Sequence, residues 1–194
     1  NRRGIHPCSI KEFHRQLAFL SKEYRIVSLA QVFQGALEES EERLCAITFD
    51  DGLKDQYLHA VPILEHFKAP ASFFIITKTF NGFVPLAHKI HILLSVVAPW
   101  GLIQKFHTFL GHISGDFLER YHVPTDAYLN NERRHEDMRI ANFKEIVISL
   151  PQDVKNQFAE WIFKELRLNE GDMCKKLFME KADVMALHQN NFDV

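Results

Sequence analysis

The sequence predicts an α/β fold in which parallel strands are covered by helices. Between residues 9 and 77, segments with helical periodicity alternate with short apolar runs of strand length. Such alternation is typical of a parallel sheet, either open or closed into a barrel. From about residue 85, one helical segment follows another without strands between them. The chain is therefore predicted to combine an α/β core with a helical block.

The first helix has a clear start signal. Ser9 and Glu12 have the spacing of a capping box, in which each side chain bonds the other residue's backbone amide. Phe13 and Leu17 continue one apolar face of this helix. A strand is predicted at residues 25–28, and a second capping-box pattern at 28–31 predicts the start of another helix.

Two continuous apolar runs, at residues 44–49 and 71–77, are typical of strands that are buried on both faces. A helix is predicted between them at 53–67, disturbed by Pro62. The later helices are predicted at 86–98, 101–110, 138–150, 152–166 and 177–188, and a strand is predicted to begin at 191–194. Phenylalanines are predicted to be core residues at positions 73, 74, 106, 109, 158 and 163.

Composition excludes several classes of protein. The 194 residues are 46% hydrophobic and 25% charged, as in globular domains. The formal net charge is -2, so the sequence lacks the excess of positive charge that is typical of nucleic-acid-binding proteins. The 3 cysteines are scattered, which argues against a disulfide scaffold and a zinc ribbon. The longest apolar stretch, at residues 90–99, is much shorter than the roughly 20 residues of a membrane helix.

The run TFDDG at residues 48–52 stands at the carboxyl end of a predicted buried strand. Ligands of parallel α/β folds bind at the carboxyl ends of strands. Two adjacent carboxylates repel each other, and a bound cation relieves that repulsion. Because successive side chains of an extended backbone point to different sides, Asp50 and Asp51 can take different roles. Taken alone, however, an Asp-Asp-Gly string is more typical of a simple turn.

The surrounding residues favour a functional role. The run AITFDDG at 46–52, with Asp55 and Tyr57 after it and PASFFI at 70–75, resembles the polysaccharide deacetylases with a NodB homology domain (carbohydrate esterase family 4). The resemblance is good over roughly residues 6–80. It implies a distorted (β/α) barrel with a site at the carboxyl ends of its strands.

The resemblance also implies an activity and two site residues. Members of the family hydrolyse acetyl groups on sugars, so the expected substrate is an N-acetylated sugar or polysaccharide and the expected enzyme class is a hydrolase of non-peptide carbon-nitrogen bonds. In such enzymes the first aspartate, here Asp50, is the catalytic base. The second, here Asp51, is a ligand of a divalent metal, with zinc the first expectation. The oligomeric state is left open.

The family's second motif, His-(Ser/Thr)-x-x-His, would supply the remaining metal ligands and is absent from this sequence. Residues 185–194 resemble the segment that leads into it. The favoured interpretation is a fragment, inactive alone, whose barrel is incomplete and whose natural chain continues past Val194. The alternative is a non-catalytic carbohydrate-binding or scaffolding domain that has lost the histidines. A phosphohydrolase ranks last, since no phosphate-binding glycine loop is present.

These interpretations divide the chain into a core part at residues 1–84, a helical insertion at 85–188 and the start of the next core strand at 189–194. The insertion loosely resembles those of bacterial deacetylases that act in surface-polysaccharide synthesis, which leaves the cytoplasm and the cell envelope as alternatives. His88 and His91 share one helical face and could chelate a metal, but no carboxylate stands at ligand spacing. They are interpreted as part of an amphipathic helix.

Overall fold

The computed structural model describes residues 7–33 and 43–194. One compact unit contains Cys8–Phe83 and Glu170–Val194, and we call it the strand-bearing unit. The other contains Val84–Asn169, and we call it the helical unit. The predicted division into a family core and an insertion stays a prediction.

The strand-bearing unit begins with helix α1, whose predicted capping box is confirmed: the Ser9 amide donates to Glu12 at 2.9 Å, and the Glu12 amide donates to the Ser9 hydroxyl at 3.2 Å. Short strands and helical turns follow it. Their bounds are α1 Ile10–Glu23, β1 Arg25–Ile26, α2 Leu29–Phe33, β2 Leu44–Cys45, β3 Thr48–Phe49, a π-helical turn Gln56–Ala60, α3 Val61–Phe67, β4 Ser72–Phe73 and a 3₁₀ turn Thr77–Asn81.

The strands are parallel but much shorter than predicted. β1 pairs with β2, and β3 pairs with β4 with Thr48 opposite Ser72. The single strand predicted at 44–49 is interrupted at residues 46 and 47, and it forms two short strands in two separate pairs. In the described ranges, 7–33 and 43–194, the strands form two pairs and no closed barrel. What the structure supports is a mixed, largely helical fold with a few short parallel strands.

The helical unit contains five α-helices and a short 3₁₀ turn in its described residues, and its core is built from phenylalanines. Phe106 contacts Phe143 and Phe158 with ring centroids 5.5 and 5.0 Å apart. The predicted helix at 101–110 begins earlier, because Pro99 occupies the first turn, where its missing N–H is harmless. The bounds are α4 Leu86–Val96, α5 Pro99–Ile113, α6 Gly115–Arg120, the 3₁₀ turn Asn131–Arg133, α7 Met138–Ser149 and α8 Gln152–Glu165.

Two further helices complete the strand-bearing unit: α9 Glu170–Leu177 and α10 Lys181–Gln189. The helix predicted at 177–188 therefore begins four residues late, because Phe178 forms an antiparallel bridge with Leu53 and Glu180 caps α10. After α10, Asp193 forms a parallel bridge with Ser72.

The core of the strand-bearing unit joins early and late segments of its sequence. The Phe49 ring stacks on Phe73 at 4.8 Å, and Phe192 packs edge-on against Phe73 at 5.7 Å. Leu17 of α1, Leu64 of α3 and Leu187 of α10 are almost fully buried in the same cluster. The prediction that Phe74 is a core residue is wrong: it is 55% exposed, because successive side chains of a strand point to opposite faces.

Asn142 of α7 holds the irregular segment of the helical unit in place. Its side chain is fully buried. Its amide nitrogen donates to the carbonyl oxygens of Pro124 and Ala127, both at 2.8 Å, and its oxygen accepts from the Leu129 amide at 2.9 Å. One side chain therefore satisfies three backbone groups of a segment that has no regular structure of its own.

We expect Asn142→Ala to lower the free energy of unfolding by about 2–4 kcal/mol, because it leaves buried backbone groups without hydrogen-bond partners. Urea denaturation followed by circular dichroism measures the change. Asn156→Ala is the matched control, since Asn156 is exposed on α8. An equal loss in the two variants would contradict the role given to Asn142.

No helix in residues 7–33 and 43–194 combines the length and the apolar character that crossing a membrane requires.

Candidate functional site

The turn after β3 carries both predicted site residues. Asp50 is exposed and Asp51 is half-buried. Asp51 has φ 72° and Gly52 has φ 69°, so two successive residues adopt the left-handed conformation. That conformation is unfavourable for residues with a side chain, although aspartate tolerates it better than most. The backbone therefore turns sharply at the end of β3. Both carboxylates are attached to this turn, and Asp51 itself has the unfavourable backbone conformation.

Gly52 is favoured chiefly by its φ, and its surroundings leave little room for a side chain. A Cβ atom at this position would lie 2.9 Å from Cδ1 of Ile75. The Gly52 carbonyl oxygen accepts a hydrogen bond from the Met179 amide at 2.9 Å, and the next residue, Leu53, bridges Phe178. The segment between α9 and α10 therefore holds the turn in place through these two contacts.

Gln56 fixes the turn from its other side. The side-chain nitrogen of Gln56 donates to the Asp50 carbonyl oxygen at 2.8 Å, and its side-chain oxygen accepts from the Leu53 amide at 3.1 Å. Gln56 was not predicted as a site residue. Its position three residues after Leu53 is nevertheless the spacing at which a glutamine side chain can accept a hydrogen bond from a backbone amide, as in a capping box.

Gln56→Ala removes both hydrogen bonds, and we expect it to lower the free energy of unfolding by about 1–3 kcal/mol. Denaturation by urea, followed by far-ultraviolet circular dichroism, measures this change. The control is Gln157→Ala, because Gln157 is an exposed glutamine on a helix; its effect should stay within about 0.5 kcal/mol. The role of Gln56 would be refuted by two variants of equal stability.

The residues present do not complete a metal site. Within the part of the chain that the structure describes, no three histidine, cysteine, aspartate or glutamate side chains are grouped so that they could hold a metal ion. The rings of His88 and His91 in the helical unit lie 6.0 Å apart and perpendicular to each other. Burial lowers the pKa of His91, and Lys144 and His88 lower it further, while Glu136 acts in the opposite direction. The described residues bring no third ligand to these two histidines.

The model of one protein family, polysaccharide deacetylase, matches residues 38–92. The match covers less than half of the chain and includes the TFDDG run and strand β4. The resemblance predicted from these residues is thereby confirmed for the N-terminal part of the chain. No curated protein and no solved structure matches the chain.

Proposed function

We propose, from the match of residues 38–92 to the polysaccharide deacetylase family, that the protein is a carbohydrate deacetylase. The observation that carries the proposal is the position of the TFDDG run inside the matched segment, at the carboxyl end of β3. The substrate class is an N-acetylated sugar or polysaccharide. The reaction is hydrolysis of an amide bond that is not a peptide bond, and its products are acetate and a free amine.

Asp50 is the proposed base. The side chain of Asp50 is exposed, so its carboxylate is accessible to a substrate. The backbone of Asp50 is held in position, because its carbonyl oxygen accepts a hydrogen bond from Gln56 at 2.8 Å. The carboxylate would accept a proton from a water molecule while that water's oxygen bonds to the acetyl carbon. The carbon-nitrogen bond would then break as the proton held by Asp50 passes to the leaving nitrogen, which releases acetate and the free amine and returns Asp50 to its carboxylate form.

Asp51 is the proposed metal ligand, and this role rests on the family, whose members are typically metal-dependent. Zinc is the first candidate, but the described residues do not complete a site for it. We therefore derive no step of the reaction through a metal. The same observation supports the second candidate function, a non-catalytic domain that binds carbohydrate without hydrolysing it.

The test is acetate release by the purified protein. The substrates are oligosaccharides of N-acetylglucosamine and of N-acetylgalactosamine, and the matched controls are the same sugars without their acetyl groups. Acetate released from the acetylated sugars supports the deacetylase. Saturable sugar binding without acetate release would refute the deacetylase and support the non-catalytic domain. If neither acetate release nor sugar binding is observed, both proposals are refuted.

A further inference from the structure

A cavity of about 270 Å³ lies within the helical unit. Helices α4, α7 and α8 and the Asn131–Arg133 turn supply all the residues that line it. Five of these residues are aliphatic and four carry a titratable or basic group. The aliphatic residues are Leu86, Ala87, Ile90, Val147 and Ile148, and the others are His91, Arg133, Lys144 and Lys155.

Two of the basic groups are balanced by carboxylates. Lys144 lies 2.6 Å from Glu136, and Arg133 lies 3.0 Å from Glu136 and also pairs with Glu145. Two cations thus face two carboxylates, and together they add no net charge to the cavity wall.

Lys155 is different. It is half-buried, and its ammonium group has no hydrogen bond or ion pair to any residue within 7–33 and 43–194. A half-buried ammonium group loses part of its hydration, and an anion that binds beside it would restore the lost interaction. Among the residues that line the cavity, Lys155 therefore carries the positive charge that no carboxylate of the described residues balances.

His91 adds a polar group without adding charge at neutral pH. Burial lowers its pKa below the ordinary value of 6.5, and the charges of Lys144 and His88 act in the same direction, while Glu136 opposes them. The neutral ring can accept a hydrogen bond at one nitrogen and donate one at the other.

We propose that this cavity binds an amphiphilic anion, a carboxylate that carries a short aliphatic chain. The carboxylate would pair with Lys155, and the chain would pack against Leu86, Ile90 and Val147. The volume of 270 Å³ equals that of about nine water molecules at roughly 30 Å³ each, which suits a chain of about eight heavy atoms. Since all lining residues belong to the helical unit, the proposal is independent of the role given to Asp50.

Isothermal titration of the 194-residue protein with octanoate tests the chemistry of the cavity. Octanol keeps the chain without the charge, and acetate keeps the charge without the chain. We expect saturable one-to-one binding of octanoate, and binding at least roughly tenfold weaker for each of the two other probes. Octanol binding as tightly as octanoate, or no saturable binding of octanoate, would overturn the proposal.

Two variants locate the bound anion. We expect Lys155→Gln to weaken octanoate binding about tenfold, because it removes a charge-assisted hydrogen bond. Lys164→Gln is the matched control, since Lys164 is exposed on the same helix and does not line the cavity. Ala87→Phe replaces a small lining residue by a large one, which should reduce the cavity and abolish binding. Thermal melts verify that all three variants fold, and equal affinity of the two lysine variants or unchanged binding by Ala87→Phe would overturn the assignment.

Discussion

Asp50→Asn is expected to lower the rate of acetate release by about 10²–10⁴-fold, which is the usual contribution of a positioned general base. The substitution changes one oxygen of the side chain into an amide nitrogen, so it removes the proton acceptor while nearly keeping the volume. Asp50 is exposed, and Gln56 binds the carbonyl oxygen of its backbone rather than its carboxylate. The fold of the turn should therefore survive the change.

Asp55→Asn is the matched control for this experiment. Asp55 is an exposed aspartate five residues further along the chain, and its side chain makes no capping hydrogen bond to the helical turn that it precedes. Its substitution should leave the rate within about twofold of the unchanged protein, as surface changes away from a site commonly do. Acetate release that persists unchanged in Asp50→Asn, with full rate in Asp55→Asn, would remove Asp50 from the reaction.

The elements that sequence predicted well are those whose signals are local. The capping box at Ser9 placed the start of α1 correctly, because both of its hydrogen bonds join residues three positions apart. The strand structure of the apolar run at 44–49 was harder to predict. Its composition indicated an extended, apolar segment, but it carried no information about pairing partners, and the structure gives each half a different one.

The same distinction applies to the candidate site. The TFDDG run was recognisable because its residues are adjacent and follow a predicted strand. Gln56 was missed because it acts only through backbone atoms of Asp50 and Leu53, which come within its reach once the turn has formed. Asn142 was missed for the same reason, since its partners lie 13 to 18 residues before it in the sequence.

Residues 118–137 show that a charged side chain in a polar segment can be buried. This stretch is polar, and it contains the end of α6, an irregular segment and a 3₁₀ turn. Yet Glu136 within it has a side chain only 4% exposed. Two cations balance its charge: Arg133, three residues earlier, lies 3.0 Å away, and Lys144 of α7, eight residues later, lies 2.6 Å away. Charge patterns alone do not reveal such partners.

The Glu136 cluster leads to the largest stability effect that we expect. Glu136→Gln should lower the free energy of unfolding at pH 7 by about 3–5 kcal/mol, because it breaks the ion pairs of a buried carboxylate with Lys144 and Arg133. The side chain of Lys144 is itself only 11% exposed. Glu145→Gln is the matched control: its carboxylate pairs with Arg133 but is 26% exposed, so the expected loss is about 1 kcal/mol or less. Urea denaturation measures both.

The pH dependence distinguishes a charge effect from a packing effect. Burial acts to raise the pKa of Glu136, but the hydrogen bonds and charges of Lys144 and Arg133 outweigh it and hold that pKa below the ordinary value of 4.5. A carboxyl group with a lowered pKa stabilises the folded state above its unfolded-state pKa, and this contribution is lost as the pH falls through the folded-state pKa. The stability difference between the unchanged protein and Glu136→Gln should therefore be full at pH 7 and shrink as the pH falls below 4.5. Because the glutamine cannot titrate, a difference that stays constant down to pH 3 would assign the loss to packing and refute the charge argument.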